Sequence, residues 1–216
     1  MQTRDHRLLG NYVLERCNLS PGTICRRMFL LGCVEPDWNL VTYTRGSIKY
    51  QFFHGHNAEN ARKHLTCLIK KLLASGVRTP LQWFRFGAVL HYLADSFTFV
   101  HNRCFSGNLK EHRLYEKLLH DVFVKYLCTQ HIEEGPAAEL THGHYLTEQR
   151  SFRTDCRYIT GAALALCSRL SIFEAHAEQD PVFTAVRFKV LENGSVYGWE
   201  QSLECFDKKD AFQNVR

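Results

Sequence analysis

Apolar residues recur along most of this chain at helical spacing. From Asp5, read as an N-cap, Leu8, Leu9, Tyr12 and Val13 share one face of a first helix. Ser20 as cap and Pro21 in the first turn predict a second helix, carrying Cys25, Met28, Phe29 and Leu31 as far as Gly32, with Pro36 as its stop. The segment from Val34 to Gly55, VEPDWNLVTYTRGSIKYQFFHG, is rich in aromatics and lacks a 3.6-residue period. It reads as a long ordered loop, and loops of that length in compact domains usually carry function. After Asn57, the residues Ala58, Ala61, Leu65, Leu68, Ile69 and Leu72 make an amphipathic helix that ends at Gly76. Pro80 opens a helix that is apolar on nearly every side, which predicts a central position in a bundle. Beyond the loop RCFSGN, Leu114, Leu118, Val122 and Tyr126 stand at steps of four, and Gly135-Pro136 breaks the pattern. After a polar stretch with histidines, a last helix from Asp155 to about Ala175 points Ile159, Ala162, Leu166, Leu170 and Phe173 inward. The end alternates apolar and polar residues around Asn193-Gly194, a hairpin signal. The pattern predicts an all-α, single multi-helix domain over residues 1–176. Residues 177–216 form a C-terminal extension, a small hairpin or extended tail.

Composition narrows the class. With 216 residues, 45% of them hydrophobic and 23% charged, the chain is long and apolar enough to bury a core without disulfides, and disorder is excluded. The net charge of +5 is mild and dispersed, which sets nucleic acid aside as a partner. No apolar run approaches the roughly 20 residues of a membrane span, and MQTRDHRLLGNYVLERC carries charges where a signal peptide needs its apolar segment, so the expected location is cytoplasmic. Nine cysteines without a CxxC pair read mostly as buried free thiols. Twelve histidines beside two methionines direct attention to where imidazoles meet acids.

They meet on two consecutive helices. His91 and Asp95 are four apart, His101 follows, and His112 and Glu116 are again four apart, so each pair leaves one helix face a turn apart. A single pair of this kind is more often a surface feature than a ligand set. Here Leu90, Tyr92, Leu93, Ala94 and Phe97 surround the first pair, and an unpartnered carboxylate among them would be very costly to bury. An acid in that place needs a cation, and facing imidazoles and carboxylates are how helical bundles build metal sites.

The stretch LHYLADSFTFVHNRCFSGNLKEHRLYE resembles the central motif of the bacterial zinc-dependent phospholipase C family, HxxxDxxxxxH, a loop, then HxxxE. The loop is shorter than in secreted members. LGCVEPDWN resembles the family's Gly-x-x-x-Pro-Asp turn, and FFHGHNAENARKH the segment that supplies a further histidine. The resemblance covers about residues 5–125, with a weaker echo after Asp155. It implies an all-helical domain of phospholipase C/nuclease type with two or three zinc ions in a cleft. Carried over, Asp37, His56, His91 and Asp95 surround one ion, and His101, His112 and Glu116 a second. Asp95 bridges to a third, held with His6 and the amine and carbonyl of the N-terminal residue. His56 is taken before His54 for its GHNxEN context, and Asp37 doubles as general base. Because Met1 lies only five residues before His6, an altered or empty third site is expected.

The implied reaction is hydrolysis of a phospholipid or other phosphodiester by a metal-activated water, giving diacylglycerol and a phosphorylated headgroup, with contact to a membrane surface. Two other readings remain open. One is a nuclease on the same fold, although FTFVHNRCF lacks that branch's Gln-Pro-x-His step. The other is a non-catalytic, metal-stabilised binding protein. His120 reads as a supporting or surface residue, and His142 and His144 in THGHY as ordinary loop residues. Trp38, Tyr43, Tyr50, Phe52 and Phe53 line a substrate cleft or pack internally.

Overall fold

The computed structural model describes residues 1–38, 58–129 and 141–170. It contains α1 (Thr3–Arg16), α2 (Thr23–Trp38), α3 (Ala58–Ser75), α4 (Pro80–Ser96), a short 3-10 turn (Phe99–His101), α5 (Leu109–Thr129), α6 (His142–Thr147) and α7 (Phe152–Arg169). Among the described residues there is no strand, and the fold is all-α as expected. The loop beyond Trp38, His54, His56, Phe173 and the 177–216 extension with its hairpin signal lie outside the described residues.

The central helix forms as its sequence directs. Thr79 caps α4: its hydroxyl accepts from the Gln82 amide at 3.3 Å, and Gln82 Oε1 accepts from the Thr79 amide at 2.8 Å. Pro80 follows at the first helical position, where its missing N–H costs nothing. Because α4 is apolar on nearly every side, it is buried continuously from Phe86 to Ser96. Helices α1, α2, α3 and α7 pack against it and α5 packs on α7 and α1, with Leu9, Val13, Phe29, Ile69, Leu72, Leu119, Phe123, Ile159 and Ala162 in the shared core.

Two glycines set the closest contact. A Cβ at Gly32 would stand 2.1 Å from the Phe84 carbonyl oxygen, and one at Gly87 would stand 2.1 Å from the Phe29 carbonyl oxygen. Helices α2 and α4 therefore touch backbone to backbone, which only glycine permits.

Several boundaries differ from the sequence reading. Gln2 caps α1, and Asp5 lies inside its first turn, fully buried. The inward face of α1 is thereby rotated, so that Leu8 is partly exposed while Leu9, Val13 and Leu14 are buried. Helix α2 starts at Thr23 and continues through Pro36 to Trp38. Proline in the last turn removes a single helical bond, and the Pro36 ring is buried, so it does not stop the helix. On α5 the buried positions are His112, Leu119 and Phe123, with Leu114 exposed, so the row of apolar residues at steps of four is not the innermost face. Helix α7 is capped by Ser151, whose hydroxyl accepts from the Thr154 amide at 3.0 Å, and Asp155 sits within its first turn. Cys17, Cys33, Cys156 and Cys167 are buried free thiols, whereas Cys67 and Cys128 are exposed.

Candidate metal centre

The backbone contact of α2 with α4 fixes the first part of the site. It brings the Cys33 carbonyl within 2.9 Å of His91 Nδ1, which donates to it. That bond turns His91 Nε2 toward Asp95 Oδ2, 3.3 Å away, and Asp37 Oδ1, 3.7 Å away. Asp37 reaches this position because α2 runs on past Pro36, and Thr3 Oγ1 of α1 donates to its Oδ2 at 2.7 Å. His6, also on α1, stacks on the His91 ring with centroids 3.8 Å apart, and its Nε2 lies 3.2 Å from Asp95 Oδ1. Ligand atoms of His6, His91 and Asp95 all fall within 4.8 Å of one another.

A second group forms across the turn after α4. His101 Nε2 is 3.2 Å, and His112 Nε2 3.3 Å, from Glu116 Oε1. These three residues also meet within 4.8 Å. Asp95 joins the two groups, since its Oδ1 lies 3.6 Å from His101 Nε2 while its Oδ2 faces His91. The Met1 amine sits at the junction. It donates to Asp95 Oδ1 at 2.8 Å and lies 2.8 Å from His101 Nε2 and 3.3 Å from Glu116 Oε1.

The electrostatics follow from burial and proximity. Burial disfavours the charge of Asp95, but His101, the Met1 amine, His6 and His91 outweigh it and hold the carboxyl well below its usual range. Glu116 is held low in the same way, by the Met1 amine and by hydrogen bonds from His101 and His112. Against burial, the Asp95 and Glu116 carboxylates raise the Met1 amine to about 11. Burial, reinforced by His91, lowers His6 to about 4, which leaves the ring neutral near pH 7. For His91 burial is outweighed by Asp95, and its pKa rises.

The donor set fits a zinc ion. Both ring nitrogens of His6, together with Asp95 Oδ2, are buried without a hydrogen bond of good geometry. Leaving such atoms without a partner costs on the order of 1–3 kcal/mol each. A borderline-soft cation that accepts imidazole nitrogen and carboxylate oxygen answers that need.

The family model of zinc-dependent phospholipase C matches residues 5–172. The chain belongs to the zinc-dependent phospholipase C family. The comparisons with curated proteins and with solved structures return no match.

For this zinc-dependent phospholipase C family member, seven of the eight residues expected from sequence converge: His6, Asp37, His91, Asp95, His101, His112 and Glu116. His56, with its rival His54, lies outside the described residues. The His6 ring stacks on the His91 ring, so the two imidazoles reach Asp95 side by side. The partner of His120 and the burial of His142 were not visible in the sequence. His120 Nδ1 pairs with Asp5 Oδ1, linking α5 to the residue beside His6. His142, read as a loop residue, lies on α6 and is buried, with Nε2 2.7 Å from Asn102 Oδ1, next to His101. Neither pair is adjacent in sequence, so no spacing rule could have signalled it.

Proposed function

We propose that this protein hydrolyses a phosphodiester, with a phospholipid as substrate, and releases diacylglycerol and a phosphorylated headgroup. The observation that supports the reading most directly is the pair of histidine–carboxylate groups sharing Asp95, in a chain of a zinc-dependent phospholipase C family. In this proposal His6, Asp37, His91 and Asp95, together with His56, hold zinc on one side of the junction, and His101, His112 and Glu116 hold it on the other. Bound zinc lowers the pKa of water to about 7 and neutralises the phosphate oxygens.

The protein's own residues have separate tasks. Asp37 is the proposed general base. Thr3 fixes one of its oxygens, and its carboxylate is the most solvent-accessible of those in contact with His91, at 19% against 3% for Asp95. The Cys33 carbonyl fixes the His91 tautomer, as the outer partners of metal-binding imidazoles commonly do. The burial of His6, His91 and Asp95 excludes water from the inner side of the site, which strengthens each charge interaction there.

Zinc-loaded protein assayed on p-nitrophenyl phosphocholine, phosphatidylcholine vesicles and single-stranded DNA tests the proposal. Cleavage of the ester and the vesicles, with DNA left intact, is the expected result. Cleavage of DNA alone would favour the nuclease reading, and zinc uptake with no turnover on any of the three would favour the binding protein.

A further inference from the structure

Outside the donor groups, Asp155 is among the described residues a fully interior acid whose partners come from three different elements. Asp155, on the first turn of α7, is only 2% exposed. Its Oδ2 accepts from the Phe99 amide at 3.1 Å and from the Tyr115 hydroxyl at 2.9 Å, and its Oδ1 accepts from the Tyr145 hydroxyl at 2.8 Å. These donors come from the 3-10 turn, α5 and α6. All three are neutral, so the carboxylate is buried for its geometry as an acceptor and not for charge pairing. Burial raises its pKa to about 7, against the lowering effect of Tyr145, Phe99 and Tyr115. An apolar residue would fill the same space without that cost.

The positions of the donors give the acid a role. Phe99 opens the 3-10 turn that ends on His101, and Tyr115 immediately precedes Glu116. The same turn is held from its other side by Asn102. Its Nδ2 donates to the Thr98 carbonyl at 2.9 Å and the Ser96 carbonyl at 3.2 Å, while His142 contacts its Oδ1. The backbone carrying His101 is thus fixed at both ends, and of Asn102 and Asp155 it is Asp155 that also bonds to the helix carrying Glu116. We infer that Asp155 is a positioning residue for the His101–His112–Glu116 group, holding the His101 turn and the Tyr115–Glu116 step of α5 at the separation that zinc binding requires. The inference rests on the proposed zinc-binding role of that group.

The experiment measures zinc affinity by chelator competition, and the visible spectrum of the cobalt(II)-substituted protein, for wild type, Asp155→Asn, Tyr115→Phe and Tyr145→Phe. In Asp155→Asn a neutral amide with a single acceptor oxygen replaces the two carboxylate oxygens, so the Phe99, Tyr115 and Tyr145 donors can no longer all be accepted and the hold on the His101 turn and α5 weakens. One ion is expected to bind 10–100-fold more weakly, with an altered cobalt band, while the remaining zinc is unaffected. Tyr115→Phe removes a single donor and should weaken the same ion severalfold. It decides the matter if Asp155→Asn does not fold. Tyr145→Phe, which faces neither ligand arm, should lower the melting temperature alone.

Lower melting temperatures with affinity and cobalt spectrum unchanged in both Asp155→Asn and Tyr115→Phe would overturn the inference and leave the proposed function standing. Wild-type protein that binds zinc but cleaves no phosphodiester would contradict the function and leave the inference intact. A wild type that takes up no zinc would overturn both.

Discussion

At Asp95 the two oxygens of one carboxylate face different neighbours, His91 on one side and His6, His101 and the Met1 amine on the other. A residue so placed should matter to more than one ion. Asp95→Asn is expected to remove more than one zinc per chain in elemental analysis, whereas His112→Ala should remove one, and equal losses would contradict the shared role. Asp155 gives a second prediction at this scale. Its pKa is raised from 3.8 to about 7 on folding, so the native state holds the extra proton between those values. Its contribution is therefore fully present below about pH 4 and lost as pH rises toward 7, at about 1.4 kcal/mol per pH unit. Denaturation of zinc-free protein should show wild type losing ground to Asp155→Asn between about pH 4 and pH 7. A difference independent of pH would contradict the assignment. The HxxxD and HxxxE residues were legible because helix geometry alone places i and i+4 on one face. Asp155, His142 and the Asp5–His120 pair were not, since their partners are 10 to 115 residues away and only the tertiary fold joins them.

The helices themselves were read well where apolar stripes are strong, as in the helix that Pro80 opens and along Ile159, Ala162, Leu166 and Leu170. Misreadings fall where the site occupies the inner face. Asp5 and His6 turn inward on α1 and displace Leu8 outward, and His112 does the same to Leu114 on α5. Partnered polar groups can claim the buried face, and a hydrophobic stripe alone does not reveal it. The continuation of α2 through Pro36 was hidden for a different reason, because a proline in a last turn forfeits little. At this scale the glycine contact makes the clearest prediction. Gly87→Ala places a methyl against the Phe29 carbonyl and must push α2 away from α4. A loss of about 1–3 kcal/mol or more is expected by denaturant unfolding, in line with overpacking at other cores. Zinc affinity should fall with it, because α2 supplies both the Cys33 carbonyl and Asp37. Unchanged stability would contradict the close packing described.

For the whole molecule, the donor groups lie between α1, α2, α4, the 3-10 turn and α5, so metal binding and the packing of the bundle are linked. Chelation should lower the melting temperature, and zinc at 100 times its dissociation constant should restore about 2.7 kcal/mol per site. Thermal unfolding with and without chelator checks this, and coincident curves would contradict it. No helix among the described residues is long and apolar enough to cross a membrane. In the proposed function, phosphodiester hydrolysis depends on zinc at the site built around Asp95. Zinc-stripped protein titrated with zinc, with release of p-nitrophenol from p-nitrophenyl phosphocholine followed at each addition, tests it most directly. Activity should be absent without zinc, rise with the first ions bound and level off at two or three per chain. Full activity in the stripped protein, or none after saturation with zinc, would contradict the account.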